Sequence, residues 1–136
     1  MDIKTLLDEA KTIVVVGCSP RASRTSHRIA RYLQDAGYRV IPVNPHHDEL
    51  LGERCYPDML SIPADEPIDI VNVYRRPQFT EAVVEDTADW SERADRKPVI
   101  WTQIGVSSKE AQRRAEAAGL PYLANRCILV EHSRYL

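Results

Sequence analysis

Apolar and polar positions along this chain alternate between two rhythms. Short runs of consecutive apolar residues, rich in β-branched side chains, are each followed by a stretch whose apolar residues recur every three or four positions. The first rhythm suits a strand buried on both faces, and the second suits a helix packed on a sheet. Ile3, Leu6, Leu7 and Ala10 place a short amphipathic helix over Ile3–Ala10, suited to covering a sheet edge. Thr12–Val16 is the first strand. The polar loop Gly17–Arg24 follows, and a helix capped by Thr25 or Ser26 then runs to about Ala36. Ile29, Ala30, Leu33 and Ala36 face the sheet, and Gly37 stops the helix.

The second strand is Arg39–Val43, and the loop Asn44–His47 ends it. Glu49–Gly52 leads to Cys55-Tyr56-Pro57 and a short turn around Asp58–Ser61. The third strand, Ile68–Val73, ends at Tyr74-Arg75-Arg76. Pro77 opens a helix to about Ala94, with Ala82, Val83 and Ala88 among its apolar positions. The fourth strand, Pro98–Gln103, closes at Ile104-Gly105. Ser107 or Ser108 caps a helix through Ala118, which Gly119 terminates. Leu120–Leu123 is the fifth strand, and Cys127–Leu136 is a last helical segment.

Strands alternating with helices predict an α/β fold: a Rossmann-like, five-stranded parallel sheet with helices on both faces. The expected strand order is 3-2-1-4-5, joined by right-handed crossovers. Ligands of such sheets bind beyond the carboxyl ends of the strands, here at the switch point between strands 1 and 4. The chemically suggestive residues of this chain fall at those ends.

Composition narrows the ligand. The 136 residues suit one domain, and a net charge of −2 gives no bulk basic field for nucleic acid or anionic membrane. No apolar run reaches the ~20 residues of a membrane span, and the N-terminus lacks a signal-peptide pattern. The three cysteines are scattered, outside CxxC spacing. They suit free thiols in a reducing cytoplasm better than a disulfide framework or a zinc site.

The loop after the first strand carries the chemistry. A glycine-led turn into a helix N-terminus seats phosphate through backbone N–H groups and the helix dipole. A dinucleotide site would show GxGxxG here and an acid at the end of the second strand. This loop reads Gly17-Cys18-Ser19-Pro20-Arg21-Ala22, and the second strand ends in Val43-Asn44-Pro45. Both departures weigh against NAD. Arg21 and Arg24, with Arg75 and Arg76 from the third strand, suit a ligand with several phosphates.

The sequence resembles the small stand-alone CoA-binding proteins, which are similar to the N-terminal CoA-binding domain of the succinyl-CoA synthetase alpha chain. The matching stretches are Val15-Val16-Gly17-x-Ser19-Pro20, Arg24-x-Ser26, Gly37–Pro45, Leu51-Gly52-Glu53-x-Cys55-Tyr56-Pro57, Asp69–Arg76, Trp101-x-Gln103-x-Gly105, Asn125-Arg126-Cys127 and Glu131-His132. They span nearly the whole chain in order. The resemblance implies a Rossmann-like fold, binding of coenzyme A or an acyl-CoA in place of a dinucleotide, and no established catalytic residue. Residue by residue, it implies that Gly17, Cys18 and Ser19 pass under the pyrophosphate or pantetheine. Ser23, Arg24, Thr25 and Ser26 supply donors at the helix N-terminus. Asn44 and Pro45 shape the adenosine pocket, and Val73, Tyr74 and Arg75 line its adenine and phosphate side. Gln103 and Gly105 border the pantetheine exit. Arg24, then Arg75, is the expected partner of the 3′-phosphate. Two positions depart from the family: Cys18 replaces an aliphatic residue, and Asn125 replaces an Asp.

Several residues carry two readings. Cys18, near a helix N-terminus and two arginines, meets conditions that favour a thiolate, and a mixed disulfide with CoA would make it a redox switch. The plainer reading is a small buried hydrophobe. Cys127 and His132 are too far out of phase on a helix for a nucleophile and base, His46-His47 suits a solvated loop, and His27 packs or touches ligand. Trp90 reads as core or interface, and Trp101 as core. The leading function is therefore non-enzymatic CoA binding, as a sensor or regulatory module. The alternatives are an NAD(P)- or nucleotide-dependent enzyme and a thiol switch built on Cys18. Besides the small-molecule ligand, the last helix offers a surface for a homodimer or another protein partner.

Overall fold

Residues 1–136 are described by a computed structural model. After helix α1 (Ile3–Glu9), strand β1 (Thr12–Val16) is buried at every position. Its Val14 and Val16 enter one core cluster, and Ile13 and Val15 enter the other. That two-sided burial is why the run shows no polar alternation. Helix α2 (Thr25–Asp35) and strand β2 (Arg39–Val43) follow. A small antiparallel pair, β3 (Glu49–Leu50) with β4 (Glu53–Arg54), precedes a single 3-10 turn at Met59–Ser61. The chain then continues through β5 (Ile70–Val73), α3 (Pro77–Ala94), β6 (Val99–Thr102), α4 (Lys109–Ala117), β7 (Tyr122–Leu123) and α5 (Ile128–Tyr135). No helix is long and apolar enough to cross a membrane.

The five-stranded, all-parallel sheet with helices on both faces is as expected, but its lateral order is not. The order is β2-β1-β5-β6-β7, or 2-1-3-4-5 when only the sheet strands are counted. β5 lies against β1, with Val16 opposite Val73, where the sequence reading had placed it outside β2. The outer edge of β2 is already occupied. Tyr56 bridges Val43, its N–H donates to the Pro42 carbonyl at 3.1 Å, and its own carbonyl accepts from Asn44 N–H at 2.9 Å. Pro42 is the legible signal: a residue without an N–H belongs on an edge strand, and the order 3-2-1-4-5 would have made β2 internal.

Reversing direction at β1 puts the crossovers on opposite faces. α1, α2 and α5 pack on one face through Leu7, Ile29, Leu33 and Ile128. The 3-10 turn, α3 and α4 pack on the other through Met59, Val84, Trp90, Ala111 and Ala115. α3 has its expected limits, but its deepest residues are Thr80, Val84, Thr87 and Trp90. Val83 and Ala88 only flank the core, and Ala82 is exposed. Both tryptophans are core residues with satisfied indoles: Trp90 Nε1 donates to the Ile62 carbonyl at 3.1 Å, and Trp101 Nε1 to that of Arg126 at 2.9 Å.

Candidate functional site

The switch in sheet order moves the ligand crevice to the seam between β1 and β5. Gly17 lies at that seam with φ +85°, a conformation open to glycine at little cost. Its Cα lies so close to the Tyr74 backbone that a Cβ there would overlap the Tyr74 carbonyl oxygen. Gly17 and Cys18 both donate their N–H groups to the Val43 carbonyl, at 3.0 and 3.2 Å. The loop is thereby drawn toward β2 and opens two recesses, one on each side of Gly17.

The first recess, of about 400 Å³, lies at the start of α2 and is lined by Gly17, Ser19, Arg21, Arg24, Thr25, Ser26 and Tyr74. Arg24, not Thr25 or Ser26, is the N-cap residue, and no side chain caps the helix. The first N–H groups of α2 thus remain open to a ligand. Ser26 is buried because its hydroxyl accepts from Ser19 N–H at 3.0 Å. It closes the loop onto the helix instead of standing free. His27 has a similar task, with Nδ1 2.9 Å from the Ser19 carbonyl oxygen. Neither Arg21, Arg24 nor Arg75 belongs to an ion pair. Their charge is available to an anion.

The second recess, a cleft of about 230 Å³, lies on the α3 face beside β1 and β2. Val16, Val43, Pro45, Pro57, Met59, Phe79 and Val83 form its apolar walls, with Gly17 and Arg75 at its junction with the first recess. The Arg75 guanidinium sits over the Phe79 ring, 5.0 Å from the centroid, a cation–π contact that holds it at the mouth. Asp58 and Asp86 are the carboxylates of this cleft. Burial first, and the charge of Asp58 next, push the Asp86 carboxyl above the usual range. Asp58 is partly engaged, accepting from Ser61 N–H and hydroxyl at 2.8 Å each.

The structure therefore brings Gly17, Ser19, Arg24, Thr25, Ser26 and Tyr74 around one recess, and Gly17, Pro45 and Arg75 around the other. Ser23 is exposed and lines neither. Asn44 works from behind: its Nδ2 donates to the Cys18 carbonyl at 2.9 Å, and its Oδ1 accepts from His46 N–H. Val73 is core. Gln103 and Gly105 stand two strands from β1, along the same carboxyl edge. Asn125 adopts a left-handed φ of 57° and accepts from Gly105 N–H at 3.2 Å. This pins the loop after β7 to the loop after β6. Sequence reasoning missed Pro57, Met59 and Phe79. Phe79 had a signal, because it stands in the first turn of a helix that begins at a strand's carboxyl end.

Cys18 corrects an expectation. It is fully buried, and burial, then the neighbouring Cys55, pushes its thiol up to about 12. The side chain belongs to the core cluster of Ile13, Val15 and Cys55, where burial outweighs the thiolate-favouring surroundings expected from the sequence. The premise of the redox switch fails there. His132 is engaged with Tyr32, its Nδ1 2.8 Å from the Tyr32 hydroxyl. His46 and His47 are exposed, and no group of three or more potential metal-ligating side chains exists in the chain.

Residues 11–133 match the family profile described as "CoA binding domain". The chain is 40% identical over 132 residues to the protein YneT of Bacillus subtilis (strain 168), covering 97% of this chain and 93% of that one. It is 35% identical over 127 residues to "Acetate--CoA ligase [ADP-forming] I" of Archaeoglobus fulgidus, covering 87% of this chain but spanning only 18% of the ligase. Among solved structures, a hypothetical protein from Pyrococcus horikoshii OT3 superposes with a TM-score of 0.89 at 38% identity, covering 98% of this chain and 89% of that chain. A dinucleotide-forming acetyl-coenzyme A synthetase of Ca. Korarchaeum cryptofilum, in complex with phosphate and ADP, superposes with a TM-score of 0.72 at 26% identity. This chain is covered to 91% and the synthetase to 27%.

Proposed function

The chain belongs to the CoA-binding domain family, and from that premise we propose that it binds coenzyme A across the two recesses that meet at Gly17. The observation that carries the proposal is their contrast at one glycine. A hydroxyl- and arginine-lined recess at an uncapped helix start adjoins an apolar cleft whose mouth holds Arg75. The pyrophosphate lies at α2, against open N–H groups, Thr25 and Arg24. The adenine lies in the cleft between Pro45, Val83 and Phe79. The ribose then turns its 3′-phosphate toward Arg75, which is nearer the cleft than Arg24 is. This reverses the preference read from sequence. The role is binding, as a sensor or regulatory module. The hydroxyls and guanidiniums of the site are groups suited to holding phosphate.

The test is calorimetric titration of the reduced protein with CoA, dephospho-CoA and NAD. Saturable CoA binding, weakened about tenfold by loss of the 3′-phosphate and absent for NAD, is the expected result. NAD binding tighter than CoA binding would overturn it and revive a nucleotide-dependent enzyme. Arg75→Ala should abolish the discrimination between CoA and dephospho-CoA, whereas Arg24→Ala should weaken both ligands equally.

A further inference from the structure

A third recess, of about 290 Å³, lies on the same carboxyl edge, where the loops after β6 and β7 meet the start of α5. Ile104, Ala124, Cys127 and Val130 form its apolar part, and Arg126 and the buried Glu131, 3.6 Å apart, are its charged lining. Ile104 and Val130 are 65% and 49% exposed, conspicuous for branched aliphatic residues facing each other across a depression. The recess is a built feature. The Asn125–Gly105 contact, the Arg126 N–H donating to the Thr102 carbonyl at 3.2 Å, and the Trp101–Arg126 bond hold its two loops together.

Its distance from the phosphate recess can be counted in strands. Gly17 ends β1, and β5, β6 and β7 follow in order. Parallel strands lie about 4.8 Å apart, so two to three spacings make roughly 10–14 Å. A pantetheine arm is about as long as four extended residues, roughly 14 Å. Between the phosphate recess and this one, Gln103 Oε1 is a buried polar atom without a hydrogen-bond partner. Val73 pairs with Thr102, so Tyr74 and Gln103 stand side by side at the next step of the ladder. Buried polar atoms without partners are rare in folded proteins, and a pantetheine amide N–H is a donor of the kind Gln103 Oε1 lacks.

We propose that this recess receives the acyl group of an acyl-CoA whose pantetheine arm crosses Tyr74 and Gln103, so that the protein binds short-chain acyl thioesters in preference to free CoA. The inference rests on the CoA reading above and specifies the ligand class for the same site. The recess is half open and limited in volume, so an acyl chain of about four carbons gains contact with Ile104 and Val130, and longer chains extend into solvent.

The experiment is calorimetric titration with CoA, acetyl-CoA, butyryl-CoA and decanoyl-CoA in parallel. Butyryl-CoA is expected to bind about fivefold more tightly than CoA, with acetyl-CoA between them and decanoyl-CoA no tighter than butyryl-CoA. Val130→Asp, a change at an exposed position, should bring the butyryl-to-free-CoA ratio to one, and Ile104→Asp should do the same. Saturable CoA binding with equal affinity for every acyl form, or a butyryl preference that survives both substitutions, would overturn the acyl recess alone. Absence of binding by CoA and all its thioesters would overturn the underlying CoA reading instead.

Discussion

The two recesses that meet at Gly17 are built from opposite materials. On the α2 side, main-chain N–H groups, hydroxyls and free arginines are held in place by a loop whose own hydrogen bonds are already made: Ser19 to Ser26, Asn44 to Cys18, Gly17 to Val43. On the α3 side, Val43, Pro57, Met59, Phe79 and Val83 offer shape, with Arg75 parked across the opening. The first side recognises charge with little need of particular side chains. The second recognises a flat apolar body and depends on its side chains. One glycine joins the two because any side chain at that position would overlap the Tyr74 carbonyl oxygen.

The strongest way to break this arrangement is at the joint. Gly17→Ala places a methyl group against the Tyr74 carbonyl and forces a side chain into φ +85°. The expected cost is about 2 kcal/mol or more in denaturant unfolding, with no measurable CoA binding by the folded fraction. Wild-type affinity in this variant would mean that the ligand does not pass over Gly17.

Alkaline pH tests the ground beneath the loop. The Cys18 thiol is neutral when buried, and its folded pKa of about 12 lies above the reference value of 9.0. The unfolded chain therefore loses its proton first as pH rises. Stability is fully present below about pH 9 and falls toward pH 12, by at most about 1.4 kcal/mol per pH unit. Burial also raises the thiol of Cys55 and the phenols of Tyr38 and Tyr74, which adds to the same slope. Thermal melts from pH 7 to pH 11 should show this decline, and Cys18→Ala should make it shallower. A slope unchanged by that substitution would place the thiol outside the core.

A smaller pair of effects separates the two materials. Arg24→Ala is expected to weaken CoA binding about fivefold at low salt and much less at high salt, because an exposed charge is screened. Phe79→Ala should cost a comparable or smaller factor that salt does not reduce, since the loss is apolar contact. Titration of both variants at two ionic strengths reads the difference. Equal salt sensitivity would erase the distinction between the recesses.

Legibility in the sequence followed the same division. The loop recess was readable because β1 is an unbroken apolar run leading into a glycine and hydroxyl-rich turn, a local pattern. α3 was bounded correctly by Pro77 at its start. The cleft was not readable in the same way. Its walls come from β1, β2, the segment around Pro57 and α3, and their meeting depends on strand order. That order was misread although Pro42 marked β2 as an edge, since the pairing of Tyr56 with Val43 is a long-range contact that no periodicity records. Cys18 shows the reverse error. Its neighbours in sequence suggested a reactive thiol, but the turn at Gly17 breaks the strand's alternation and puts Cys18 in the core cluster of Ile13 and Val15.

The central claim is that the ligand lies across Gly17 at the carboxyl edge of the sheet. A larger recess competes with it, about 640 Å³ between α3 and α4 at the opposite edge, lined mainly by charged residues such as Asp89, Asp95, Lys97 and Arg114. Amide chemical-shift mapping of the isotope-labelled protein during CoA titration decides between them. The account predicts saturating shifts at Gly17, Ser19, Thr25, Arg75 and Phe79, with Asp89, Asp95 and Arg114 unmoved. Shifts confined to the α3–α4 recess, with Gly17 and Ser19 unmoved, would contradict it.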